Sequence, residues 1–278
     1  MANADRKFDK THLSIDIAEE RVLIHRDYIA HCMRWSHVIK HLYGKKRYAT
    51  AKIIDIGCGK ETPMAKALYS NRMAGAEYCG VDLNKIEMAP MLQKAVDNGK
   101  MTVTLMPETS ALDLHIGNIP YRPNVITNFE TFEHMNPAAA RKSLEVAHHI
   151  LAQDGYMFFS TPCWNGKAAA NHINETTYEA MGFVLQDIGF VIEDVFGTFA
   201  SIADYESAAE ADGLGWVLKR LRQYYDTNML ANVLAPLYPH LSRNALWVLK
   251  KEGTGKTFNE PTSKWSQHDE WEKMRGES

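Results

Sequence analysis

Four cysteines, at positions 32, 58, 79 and 163, contain no Cys-x-x-Cys pair. That spacing speaks against a disulfide framework or a cysteine zinc site, and a reducing, cytoplasmic setting is expected. Long hydrophobic runs are missing as well, since nowhere do eighteen apolar residues stand together without charge. The opening Met1-Ala2-Asn3-Ala4-Asp5-Arg6-Lys7 has no apolar core of the kind a signal peptide carries, so no membrane partner is expected. Charge of one sign is scarce: 31 Lys and Arg against 34 Asp and Glu leave a formal net charge of -3. A long nucleic-acid footprint has no electrostatic basis in such a total, although a local patch could sit within it. Repeats and low-complexity tracts are also lacking. What remains is ordinary globular composition, 45% hydrophobic and 23% charged in 278 residues, enough for one large core with an added subdomain.

Within that composition one run stands out. Ile53-Ile54-Asp55-Ile56-Gly57-Cys58-Gly59 begins with β-branched residues suited to a buried parallel strand and ends in glycines that let a turn approach a ligand. Gly80-Val81-Asp82-Leu83 follows at the distance where a strand–helix–strand unit delivers a carboxylate to a ribose, so the pair reads as a nucleoside site. A dinucleotide loop would carry its third glycine at position 62, which is Thr, and a dehydrogenase is therefore disfavoured.

Strand and helix patterns alternate along the chain: strand 52–56, helix 62–72, strand 77–82, helix 86–98, strands 101–106 and 124–129, helix 137–152, strand 155–160, helix 175–188, strand 189–196. This order predicts a parallel sheet flanked by helices. An amphipathic helix over about 17–43 precedes it, with Ile29, Cys32, Ser36, Ile39 and Tyr43 at helical spacing. His37 and His41 share a face of that helix, and they are read as packed or solvated because no carboxylate completes a ligand set. From 201 to 243 the alternation stops and two or more helices are expected, forming either a substrate lid or a hairpin packed on the sheet edge. Ala245-Leu246-Trp247-Val248-Leu249 then resumes as a strand. The chain thus divides into a helical segment 1–48, a catalytic domain 49–252 with the insertion 201–243, and a polar, flexible tail 253–278 whose Trp265 and Trp271 could dock on a partner.

A second motif falls at the end of the fourth strand, in Asn128-Phe129-Glu130-Thr131-Phe132-Glu133-His134-Met135. Glu130 and Glu133 are spaced i, i+3, which in a helical turn would aim both carboxylates at one point beside His134. His172, after the fifth strand, should lie close by, and two carboxylates with two imidazoles suit a divalent cation. The alternative use of Glu133 and His134 is loop support or metal-free base catalysis. Asn128-Phe129-Glu130-Thr131 lacks the Asn/Asp-Pro-Pro-Tyr/Phe of amino-methylating DNA enzymes. Pro162-Cys163 reads as a turn with a packed thiol rather than a nucleophile.

These motifs, in this order over roughly residues 50 to 200, resemble the class I S-adenosylmethionine (SAM)-dependent methyltransferases. Their usual third glycine is Glu61 here. The resemblance implies a Rossmann-like, doubly wound, mostly parallel α/β sheet, with an N-terminal helix and a helical insertion before the last strand. It also implies cofactor contacts: Asp55, Gly57 and Gly59 at the methionine end, Asp82 on the ribose hydroxyls, Leu83 against the adenine, with Glu108, Thr109 and Asn128 bordering the base. Arg34 is expected either at the cofactor carboxylate or in a surface ion pair. The Glu-x-x-Glu-His run is similar to that of metal-dependent O-methyltransferases of ubiquinone biosynthesis and of small-RNA 2′-O-methyltransferases. That likeness implies magnesium or another divalent metal on Glu130, Glu133, His134 and His172; without a metal, the catalytic groups expected are His134 or Glu133 as general base. The expected activity is O-methylation of a small-molecule or nucleotide hydroxyl. Two alternatives are an RNA or DNA methyltransferase using Lys219, Arg220 and Arg222 beside Tyr224 and Tyr225, and a non-catalytic SAM-binding scaffold. A homo-oligomer remains open.

Overall fold

The computed structural model describes residues 26–46, 50–73 and 75–261. Helix α1 (Arg26–Gly44) leads into β1 (Lys52–Ile56), α2 (Pro63–Ser70), β2 (Glu77–Val81), α3 (Pro90–Asp97), β3 (Thr102–Met106) and β4 (Val125–Phe129). Then follow α4 (Pro137–Ile150), β5 (Tyr156–Pro162), α5 (Tyr178–Ile188) and β6 (Val191–Phe199). The inserted helices are α6 (Ile202–Ala211), α7 (Gly215–Leu221) and α8 (Thr227–Leu234), and β7 (Asn244–Lys250) closes the sheet.

The seven strands lie in the order β3-β2-β1-β4-β5-β7-β6. Pairings from β3 through β5 are parallel, and β7 runs antiparallel to both β5 and β6. The expected doubly wound, mostly parallel fold is what the chain adopts. Its strand order reverses between β1 and β4, so the crevice at their carboxyl ends is where a ligand belongs in such a sheet.

Successive strand residues face opposite layers. Ile54 and Ile56 pack with Leu144, Ile150, Val184 and Leu185 of α4 and α5, whereas Ile53 packs with Val38, Leu42, Leu68 and Leu92 of α1, α2 and α3. Local chemistry sets the helix starts. Asn136 caps α4 ahead of Pro137, and Thr177 caps α5, which therefore begins later than the periodicity suggested.

Two expectations need amending, for the first helix and the tail. Residues 17–25 of the first helix lie outside the described residues, and the buried stripe of α1 is Ala30, Arg34, Trp35, Val38, Ile39 and Leu42, while Ser36 and Tyr43 are exposed. A hydrophobicity pattern misplaced that face because the arginine belongs to it. The insertion holds three α-helices, as the expected two or more allow, and two 3-10 turns, with a core built on Tyr205, Leu218, Leu230, Leu234 and Tyr238, and it packs on α1 and β6. The tail is not unpacked from its start: Lys256 N–H donates to Ile192 O at 2.7 Å, and the Phe258 ring lies 5.3 Å from Tyr178 and 5.5 Å from Trp247. Gly182 makes room for that ring, since a Cβ there would sit 2.3 Å from it. Trp265 and Trp271 lie outside the described residues.

His37 and His41 are packed, with ring centroids 4.4 Å from Phe196 and 4.3 Å from Tyr156, and burial lowers the His37 pKa. None of the four cysteines is joined to another in a disulfide; Cys163 is buried, which pushes its pKa up to about 12. Among the described residues no helix is long and apolar enough to cross a membrane.

Candidate active site

The glycine turn after β1 is held by main chain. Gly57 and Cys58 N–H both donate to Val81 O, at 2.8 and 3.1 Å, and Gly59 N–H donates to Asp82 Oδ2 at 3.0 Å. Both glycines adopt left-handed backbone, φ 73° and 70°. They differ in surroundings: a Cβ on Gly57 would fall 1.9 Å from Thr131 Cγ2, whereas one on Gly59 would meet nothing within 4 Å. Gly57 is therefore pressed against the segment after β4, and Gly59 borders open space.

Asp55 lies beneath this turn. It is buried, accepting Thr127 Oγ1–H and Tyr78 Oη–H at 2.7 Å each, one on either carboxylate oxygen. Burial pushes its pKa up to about 6, against the pull of those two hydroxyls. Both oxygens are thus used in tying β1 to β2 and β4. Asp82, by contrast, sits half-exposed at the end of β2, its Oδ1 accepting from Asn84 N–H at 2.8 Å. Leu83 is 64% exposed beside it. Thr109 N–H donates to Asp82 O at 3.0 Å, next to exposed Glu108, and Asn128 Nδ2 donates to Ile56 O at 3.1 Å. The sequence-derived cofactor residues consequently gather along the ends of β1, β2, β3 and β4, with Asp55 as their inward support.

After β4 the chain turns through Glu130, a non-glycine residue at φ 55°, into a short 3-10 turn, Phe132–His134. This separates the two acids expected to converge. Glu130 faces the sheet edge, where its carboxylate accepts from Ser160 Oγ–H at 2.7 Å and from Asn244 Nδ2 at 2.8 and 2.9 Å. Glu130 does not join the other expected ligands, because the i, i+3 alignment presumed a helical turn that begins two residues later. Glu133, His134 and His172 do converge, each offering one ligand atom within 4.8 Å of the others.

Glu133 is buried, with Oε2 accepting from Thr161 Oγ1–H at 3.3 Å and Oε1 3.8 Å from His134 Nε2. Burial, then the neighbouring Glu130, holds its carboxyl well above the usual carboxylate range. His134 Nδ1 is 3.0 Å from Asn171 O, a carbonyl that can only accept, so the proton is on Nδ1 and the lone pair of the neutral ring on Nε2. The His134 and His172 rings meet edge to face at 5.0 Å. The donor set fits a divalent cation: one carboxylate, two imidazoles, and hydrogen-bond partners on both Nδ1 atoms. Beside it, fully buried Asn174 donates its N–H to Glu133 O while its side-chain oxygen and nitrogen have no partner among the described residues.

Sequence reasoning misplaced one residue that frames this group and missed others. Arg34 is wholly buried, neither at the surface nor at the glycine turn. It donates to Thr198 Oγ1 at 3.2 Å and to Asn244 Oδ1 at 3.1 Å, and lies 3.8 Å from Glu130. Thr161, Glu175 and Arg243 were unforeseen. Only Glu175 left a trace, three residues beyond His172.

A family model described as a methyltransferase domain matches residues 28–214, more than half of the chain. No curated protein matches it at a significant level. Similar solved structures include 1,6-didemethyltoxoflavin-N1-methyltransferase from Burkholderia thailandensis, with 1,6-didemethyltoxoflavin and S-adenosylhomocysteine bound. It is 14% identical, covering 78% of this chain and 84% of that one, at a TM-score of 0.47. Magnesium protoporphyrin IX methyltransferase from Synechocystis PCC 6803 with bound SAM is 16% identical, covering 70% and 83%, at a TM-score of 0.49.

Proposed function

The chain belongs to the methyltransferase-domain family as a SAM-dependent class I enzyme, and from that premise we propose that it transfers the cofactor's methyl group to a hydroxyl oxygen of a small molecule or nucleotide. The observation that supports this reading is the convergence of Glu133, His134 and His172 at the end of β4, on the segment that Gly57 touches through Thr131. Donor methyl and acceptor oxygen would meet across that contact.

SAM would lie along the strand ends. Gly57 and Gly59 would face its methionine part, Asp82 its ribose hydroxyls, Leu83 its adenine, and Glu108, Thr109 and Asn128 the rim of the base. Asp55 would act from below by holding the turn. The sulfonium is already an activated donor, so the protein's work is to align the acceptor and manage its proton.

Glu133, His134 and His172 would hold the divalent metal. When bound, such an ion would act as a Lewis acid that lowers the pKa of a hydroxyl. A metal-free reading is supported by His134, 42% exposed, whose Nε2 lone pair could take the acceptor proton directly. The insertion would cover the acceptor: it leaves the sheet at the end of β6 and returns at Asn244, a Glu130 partner, and it exposes Trp216, Tyr224 and Tyr225 at 73%, 64% and 48%. With Arg220 stacked 5.3 Å from the Tyr224 ring, the same surface supports a nucleic-acid acceptor as a second reading.

The test is transfer from SAM labelled with carbon-13 in its methyl group, offered cell metabolites, RNA and DNA, with and without a chelator. An O-methyl resonance in a small-molecule or nucleotide product supports the proposal, and an N-methyl or C-methyl product overturns it. Turnover lost to the chelator and restored by added metal separates the metal reading from base catalysis by His134.

A further inference from the structure

The loop between β5 and α5, which carries His172, is closed by a buried ion pair that no sequence motif announced. Glu175 is wholly buried. Its Oε1 accepts from His172 Nδ1 at 2.6 Å, and Arg243 Nη2 lies 2.8 Å from Oε1 and 2.6 Å from Oε2. A carboxylate bound to a guanidinium is an acceptor, which places the proton on His172 Nδ1 and the lone pair of the neutral ring on Nε2. Arg243 is itself fixed on three sides. Its N–H donates to Phe199 O at 2.9 Å, its carbonyl accepts from Cys163 N–H at 2.8 Å, and its guanidinium donates to Lys167 O at 3.0 Å and to Cys163 O.

A buried carboxylate is costly unless fully paired, and removing one member of such a pair strongly destabilises its surroundings. Placing one here is explained by what it does to the imidazole. Resting on the metal reading above, we infer that Arg243 and Glu175 are positioning residues that lock His172 into its Nδ1–H tautomer and aim Nε2 at the ion. A carboxylate behind a ligating histidine fixes the ring and raises its basicity. His134 meets a main-chain carbonyl, Asn171 O, in that place, so the two imidazoles are held unequally. Arg243 also ends the inserted segment, so one residue both closes the insertion onto the sheet and orients the ligand.

Manganese binding to the intact protein, followed by electron paramagnetic resonance with SAM affinity measured in parallel, tests the inference. Glu175→Ala should weaken manganese by about 10–100-fold. Glu175→Gln, which keeps an acceptor for Nδ1–H, should weaken it less, and SAM affinity should hold in both. If the wild type binds manganese and both variants bind it equally well, the positioning role is overturned while the metal site stands. If the wild type binds no divalent metal, the metal reading falls. Long-range proton–nitrogen NMR of the His172 ring in the wild type needs no variant and guards against one that fails to fold. The Nδ1–H tautomer supports the lock, and an Nε2–H tautomer overturns it.

Discussion

At the carboxyl edge of the sheet, the turn after β1 and the cluster after β4 are assembled from different materials. The first is main chain bonded to its neighbouring strand, with Val81 O taking the N–H groups of Gly57 and Cys58. Its Gly59 N–H also reaches the carboxylate of Asp82, 23 residues away. The second is held largely by side chains, and its members come from far apart: Arg34 reaches Asn244 across 210 positions, and Asn244 reaches Glu130 across 114. Backbone that must lie close to a ligand is specified by leaving side chains out, which is a local choice. A buried polar cluster is specified by mutual satisfaction, which every member must meet at once. The first region should therefore fail through steric additions and the second through charge removals.

The largest expected effect falls on the second region. Arg34→Ala should cost about 3–5 kcal/mol of unfolding free energy in denaturant titration, because Glu130 keeps its neutral partners but loses the buried cation. A loss below 1 kcal/mol would erase the distinction, since surface pairs behave that way. In the first region Gly57→Ala should cost about 2–4 kcal/mol, combining left-handed strain with the Thr131 overlap. Adding Thr131→Ser removes the overlapping methyl, so the double variant should recover the packing part and keep the strain. No recovery would mean that the two segments do not touch in solution.

Asp55 sharpens the comparison, being a charge buried under a backbone-held region. Its folded pKa of about 6 stands above the unfolded value of 3.8, so the folded protein binds the proton more tightly. The stabilisation is full below about pH 4 and is lost as pH rises through 6, roughly 3 kcal/mol for two pH units. Asp55→Asn should flatten that part of the stability–pH curve relative to the wild type. An unchanged slope would show that another group titrates there. The smallest effect is on affinity: Asp82→Ala should weaken SAM by about 1.5–3 kcal/mol in calorimetry, the worth of one charge-assisted hydrogen bond. Unchanged affinity would remove Asp82 from the ribose.

Much of the fold could be read from the residues alone. Each of the seven strands came out within a few residues of its observed bounds, because period and punctuation are properties of short windows. The glycine turn and Asp82 were legible for the same reason. The face of α1 was not, since Arg34, besides meeting His31 of its own helix, bonds to partners on β6 and β7 that the helix sequence does not contain. Glu130 shows the same limit from the other side. Its spacing to Glu133 suggested a shared ligand role, and a left-handed residue ahead of the 3-10 turn parted them.

The sequence by itself determined the alternation of strands and helices, the glycine turn with its carboxylate, and the polar residues that follow β4, since each is written in neighbouring letters. Only the tertiary structure decided that Glu133, His134 and His172 meet while Glu130 turns to Asn244, and that Glu175 and Arg243 stand behind His172. The physical reason is that a buried charge goes where its partners are, and those partners are brought together by sheet order rather than by chain order.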